Sequence, residues 1–126
     1  MPGSALYDFG DAIRSGASTA AEDERDLSKI SLDLNLFEQF TRGFLSEVRD
    51  ILTPEEIELM PQSVMTLSCE LAMRFLTDYI DGDLYFKIRT PDHNLIRARN
   101  QMALTRDIES KLGEMKAIVS KYAKND

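Results

Sequence analysis

Residues 62–80, QSVMTLSCELAMRFLTDYI, decide the fold. Val64, Leu67, Cys69, Leu71, Ala72, Phe75, Leu76, Tyr79 and Ile80 recur at helical spacing and cover most of the circumference. Such a pattern predicts a central helix buried on several sides. Glu70 and Arg74 stand four apart and could pair, offsetting part of the cost of charge on a buried helix. Asp81-Gly82-Asp83 ends the run. On its other side, Thr53-Pro54-Glu55-Glu56 combines an N-cap, a first-turn proline and a glutamate at the third helical position. That capping box opens a helix that Pro61 keeps short.

Working outward, Leu36, Phe37, Phe40, Phe44, Leu45, Val48, Ile51 and Leu52 form one face of a helix beginning near Asn35. Leu6, Phe9 and Ile13 mark a short helix over residues 5–14, with Gly16 placed to end it. Residues 15–26, SGASTAAEDERD, read as a surface loop, and 27–34, LSKISLDL, alternate as an extended segment would. The final helix runs from about Asp92 to Ala123. Leu95, Ala98, Met102, Ile108, Leu112, Met115, Val119 and Tyr122 line one side, with charged residues opposite. The segment LYFKI, 84–88, is a short strand or an extended connector. There is no hairpin signal, internal repeat or low-complexity tract. The expected fold class is mainly α: one helical subdomain over residues 1–126, with four to five helices.

A chain of 126 residues makes one small domain, with 43% apolar and 29% charged residues. Its net charge of −7 argues against nucleic acid and against an anionic membrane surface, both of which reward clustered Lys and Arg. No apolar run approaches membrane-spanning length, and the N-terminal stretch lacks the basic start and apolar run of a leader. Cys69 is the single cysteine, so no intramolecular disulfide can form, and a cytoplasmic, reducing location is expected.

Few constellations carry chemistry. His93 is the only histidine, which excludes a His-rich zinc site or a His-based triad, and its place after Pro91-Asp92 suits a helix entry. Cys69 lies on an apolar face and reads as a structural thiol. Asp8 and Asp11, three apart, could serve a metal or an acid/base pair, but a loop-bracing role with one carboxylate in solvent is favoured. The run Glu22-Asp23-Glu24-Arg25-Asp26 lacks calcium-loop spacing and reads as a solvated loop. Asp8-Phe9-Gly10 spells the metal-positioning triplet of protein kinases, but the seven residues before it leave no room for a catalytic loop. No phosphate-binding glycine loop is present either. As a kinase metal motif the triplet is a coincidence.

Longer stretches carry a resemblance. MPGSALYDFGDAIRSGASTAAEDERDLSKI (1–30), FEQFTRGFL (37–45), RFLTDYIDGDLYFKI (74–88) and HNLIRARNQ (93–101) resemble the aminoglycoside phosphotransferase-like superfamily, and most of all its N-acetylhexosamine 1-kinase branch. The resemblance covers nearly the whole chain. It implies the C-terminal helical part of a kinase-like phosphotransferase fold. The nucleotide-binding lobe, the catalytic loop and the metal-binding aspartate are expected upstream of a segment like Met1-Pro2-Gly3. It implies that Asp8 braces the catalytic loop by accepting backbone N–H bonds. It also implies that the helical part supplies a wall beside the sugar, for which Tyr85, Asp81 and Asp83 are the candidates, Tyr85 stacking on a sugar face. A connector with Tyr85 and Phe86 packed inward is the plainer alternative.

ATP and Mg²⁺ serve the intact family, whereas this chain alone is expected to bind no cofactor and to hold no metal or catalytic residue. Its expected function is therefore the helical portion of an ATP-dependent sugar phosphotransferase, inactive by itself. The alternative is a stand-alone helical interaction or dimerisation module. A sugar ligand in the intact kinase and a homo-oligomer formed through an exposed apolar face are the expected partners. That face is expected on Leu6, Phe9 and Ile13.

Overall fold

A computed structural model describes residues 2–124. In chain order the elements are α1 (Pro2–Gly16), a 3-10 turn (Leu27–Lys29), α2 (Leu34–Val48), α3 (Pro54–Glu58), α4 (Met60–Ile80) and α5 (His93–Ala123). The fold is mainly α, with five helices among the described residues. Among those residues the only β pairing is an isolated antiparallel bridge between Ser18 and Leu32. Residues 27–34 begin as a helical turn and are extended at Ile30 and Asp33 on either side of the bridge at Leu32, and 84–88 form a connector, not a strand.

The helix starts follow local chemistry. Thr53 Oγ1 accepts from the Glu56 amide at 3.1 Å while Glu56 Oε1 accepts from the Thr53 amide at 2.8 Å, so the capping box forms in full. Asp33 caps α2, accepting from the amides of Asn35 and Leu36. Each bond satisfies a backbone donor that a helix end otherwise leaves open.

The long helices α4 and α5 lie antiparallel: Pro61 shares a hollow with Val119 and Ser120, and Asp78 meets Asn94. Helix α1 packs on α4, and α2 packs on α5 and α1. Gly10 permits the first contact, because a Cβ there would stand 3.0 Å from the Ser63 carbonyl oxygen. Phe9 meets the rings of Phe37 and Phe44, with centroids 6.0 and 5.0 Å away. Val64, Leu104, Ile108 and Met115 continue the core.

One expectation about burial is overturned, and the expectation of a central α4 buried on several sides holds with one side left open. Phe9 and Ile13 are buried and Leu6 is half-buried against the core, because α2 and α4 cover α1 from two sides. They are core, not an open face. Helix α4, by contrast, is not buried all round. Val64, Leu67, Ala72 and Phe75 face inward, whereas Met73, Leu76, Tyr79 and Ile80 are exposed. Helices α1 and α5 pack on α4, with a smaller contact from α3, and leave these four side chains uncovered. Glu70 and Arg74 both stand in solvent and form no ion pair, in keeping with the small value of such a pair there.

The stretch 17–33 is more than a surface loop. Ala17, Ile30 and Leu32 are buried, and Asp33 N donates to Ala17 O at 2.8 Å to close it. Asp107 Oδ2 accepts from the Leu32 amide and from Lys111 Nζ, both at 2.6 Å, while the same Nζ donates to Leu32 O at 2.9 Å. Asn100 Nδ2 donates to the carbonyls of Ala21 and Glu24. The acidic run is docked and not simply solvated: Glu22 pairs with Arg14 at 2.9 Å, and Arg25 with Asp92 at 3.3 Å. Among the described residues, no helix is long and apolar enough to cross a membrane.

Candidate functional site

The site lies where α4 turns into the connector 81–92 and α5 begins. Helix α4 ends by a left-handed turn. Gly82 takes φ +98°, its amide donates to Tyr79 O at 3.3 Å, and the Asp83 amide donates to Asp78 O at 2.7 Å. This pair of bonds is a Schellman end, and the positive φ is why glycine stands at 82. Asp83 follows at φ +63°, which an aspartate tolerates better than most residues.

That turn folds the connector back over its own helix. Asp78, only 6% exposed, accepts from the amides of Tyr85 at 2.8 Å and Phe86 at 3.0 Å, and from Asn94 Nδ2 at 2.7 Å. Burial pushes its carboxyl up, but the amides of Phe86 and Tyr85, then Asn94 and the Leu84 amide, outweigh that and hold it below the usual carboxylate range. Asn94, fully buried, also donates to Asp83 Oδ1 at 3.0 Å. Arg97 donates to Asn94 Oδ1 at 3.0 Å and to Lys87 O at 2.9 Å. Its guanidinium lies over the Phe75 ring, 5.5 Å from the centroid, and Phe75 in turn meets Phe86 at 4.6 Å.

The connector is therefore stiff, and what it presents outward is specific. Tyr85 is 77% exposed, its ring edge-on to Phe86 at 4.9 Å. Phe86 packs inward and Tyr85 does not, so the inward-packed alternative holds for one of the two rings. Tyr85 and the exposed Asp81 line one open hollow of about 300 Å³ together with Phe86, Met73, Arg74 and Thr77. Asp83 is not part of that hollow, being turned toward Asn94. Asp8 is elsewhere: it is exposed on α1, lines a groove with Phe40 and Glu47, and makes no side-chain hydrogen bond among the described residues.

The remaining sequence candidates take structural places. His93 is buried at the start of α5. Its Nδ1 accepts from the Arg89 amide at 3.1 Å, and its Nε2 stands 3.6 Å from a carboxylate oxygen of Asp23. Cys69 is a free, half-buried thiol on α4. Asp11 pairs with Arg14 at 2.9 Å. Among the described residues, no three His, Cys, Asp or Glu side chains are grouped to hold a metal ion.

Asp78 is the residue that sequence reasoning missed. Its signal was an acid four residues before Gly82, at the position whose carbonyl a Schellman end uses. Asn94, its partner across 16 residues, had no local signature. Chemically, Asp78 has both oxygens engaged by N–H donors and serves as an anchor. Asp81, Tyr85, Arg74 and Thr77 line the hollow with exposed side chains and are open to a ligand. No known family model matches this chain.

Proposed function

We propose that this chain is the C-terminal helical portion of an ATP-dependent sugar phosphotransferase of the N-acetylhexosamine type, forming one wall of the sugar site and inactive in phosphoryl transfer by itself. One observation carries the reading. Tyr85 is held out in solvent by a connector whose backbone is bonded to a buried carboxylate. A solvent-facing ring gains little from burial, so fixing its backbone this firmly makes sense when the ring has something to meet. The hollow beside it suits one pyranose ring. The apolar face of a sugar stacks on an aromatic ring, and a neighbouring carboxylate accepts from its hydroxyls. Asp81 stands in that place, while Asp83 fixes the turn. Phosphoryl transfer depends on a metal, a phosphate cradle and a positioned base, which in this reading another segment of the enzyme supplies with ATP and Mg²⁺. Asp8 is proposed to brace that segment, since it is exposed on α1 and free to accept its amides.

The test has two parts. With ATP, Mg²⁺ and N-acetylglucosamine or N-acetylgalactosamine, the chain should release no ADP, and sugar-dependent ADP release would overturn the reading. In an NMR titration with the same sugars at tens of millimolar, amide shifts should cluster at Asp81, Tyr85 and Phe86 and vanish in Tyr85→Ala. Shifts absent, or unaffected by that substitution, remove the wall.

A second reading is a stand-alone helical interaction or dimerisation module. The exposed apolar side of α4 favours it. Light scattering at high concentration tests its dimeric form, since dimerisation through that side belongs to the module and not to the sugar wall.

A further inference from the structure

The uncovered side of α4 faces a groove that it shares with α5. The buried Ala72 and Ala98 line it together with Met73 and Leu76 from α4, Leu95 and Met102 from α5 and Leu27 from the 3-10 turn, giving a volume of about 360 Å³. Met73 is 62% exposed and Leu76 is 42% exposed. The two small alanines let another element approach closely. Apolar walls on two antiparallel helices match the way an amphipathic helix lies in a groove, and methionines adapt to the side chains they meet.

The rim identifies the occupant. Arg99 and Arg106 both border the groove and both are exposed. Seven residues apart on α5, they sit on one side about 10.5 Å from each other. Neither forms an ion pair with the described residues, so both guanidinium groups are open to a carboxylate from outside. Among the described residues, no acidic side chain lines the groove. In a chain of net charge −7, an apolar groove edged only by arginines stands out from its surroundings. A second copy seated face to face would bring four guanidinium groups together with no carboxylate between them, which like-charge repulsion disfavours.

We propose that the α4–α5 groove docks an acidic amphipathic helix of another polypeptide, with apolar side chains on Met73, Leu76 and Met102 and carboxylates on Arg99 and Arg106. This does not depend on the sugar-wall reading, which concerns the connector.

The probe is an 18-residue helical peptide with Leu at positions repeating three and four apart and Glu on both flanks. A counterpart carries Lys in place of each Glu. Both are titrated into the isotopically labelled chain at low salt. The Glu peptide should shift the amides around Met73, Leu76 and Met102 and bind about tenfold or more tightly than the Lys peptide. In the double variant R99E/R106E the order of affinities should invert. Both positions are exposed, and an unchanged thermal melt verifies that the variant is folded. Equal affinity of the two peptides, shifts mapping away from the groove, or self-association through Met73 without peptide would each overturn the proposal.

Discussion

At one end of the molecule, Phe9, Ile13, Phe37 and Phe44 pack as rings and branched chains between α1, α2 and α4. At the other, Asp78, Asn94, Asp83 and Arg97 are joined by hydrogen bonds, with Phe75 and Phe86 stacked beside them. The first end rests on contacts that have no direction and no charge. They weaken in proportion to the area lost and are indifferent to pH. The second rests on bonds that need each partner in place, because a buried polar group left alone loses more than a bond is worth. The apolar end should therefore set global stability, and the polar end should set the shape of one surface.

The largest effect tests the apolar end. Phe37→Ala removes a fully buried ring and should cost about 3–5 kcal/mol in denaturant unfolding, a loss seen at every probe in the chain. A loss confined to α2 would break the picture of a single core. Asp78→Ala comes next. It should lower the melting temperature, but its signature is local. Amides of residues 84–86 and the Asn94 side chain should lose protection from hydrogen exchange before α1 and α2 do. Simultaneous loss everywhere would show that the two ends are one cooperative unit.

Smaller effects sharpen the same contrast. Gly82→Ala places a side chain at φ +98° and should cost about 1–2 kcal/mol, reducing protection at the Asp83 amide. Thr53→Ala, at a cap belonging to neither end, should cost about 1 kcal/mol without altering the connector. The smallest effect is with pH. Asp78 has a lowered folded pKa, so its stabilising contribution is fully present above the usual carboxylate range and is lost as pH falls through the folded value. Asp78→Asn should flatten the acid limb of the stability curve below about pH 4 and leave the neutral region parallel to that of the parent chain. An unchanged acid limb would mean that other carboxylates carry it. Asp92, held low by the Thr90 hydroxyl and by Arg25, and Glu38, held low by the Tyr122 hydroxyl and by Lys121, are the next to examine.

The contrast also explains which parts of the site were legible. Asp81, Gly82, Asp83 and Tyr85 were visible because a helix break with an aromatic beside it is a local pattern. The inward turn of Phe86, the outward turn of Tyr85 and the separation of Asp83 from the hollow follow from the grip of Asp78 and Asn94. Those two are joined only once α4 and α5 lie side by side. The exposed apolar face was misplaced for a similar reason. The spacing of Leu6, Phe9 and Ile13 gives an apolar face, and nothing in that spacing says what covers it.

By itself the sequence determined the start of α3 at Thr53 and the end of α4 at Gly82, since caps, prolines and glycines act on backbone groups within a few residues of themselves. Thr53, Asp33 and Gly82 do this through bonds no longer than one helical turn. Only the tertiary structure decided which side of each helix is dry. That choice depends on elements tens of residues away competing for the same apolar surface. It buried Phe9 and Ile13, left Met73 and Leu76 open, and enclosed an aspartate whose donors come from the connector and α5.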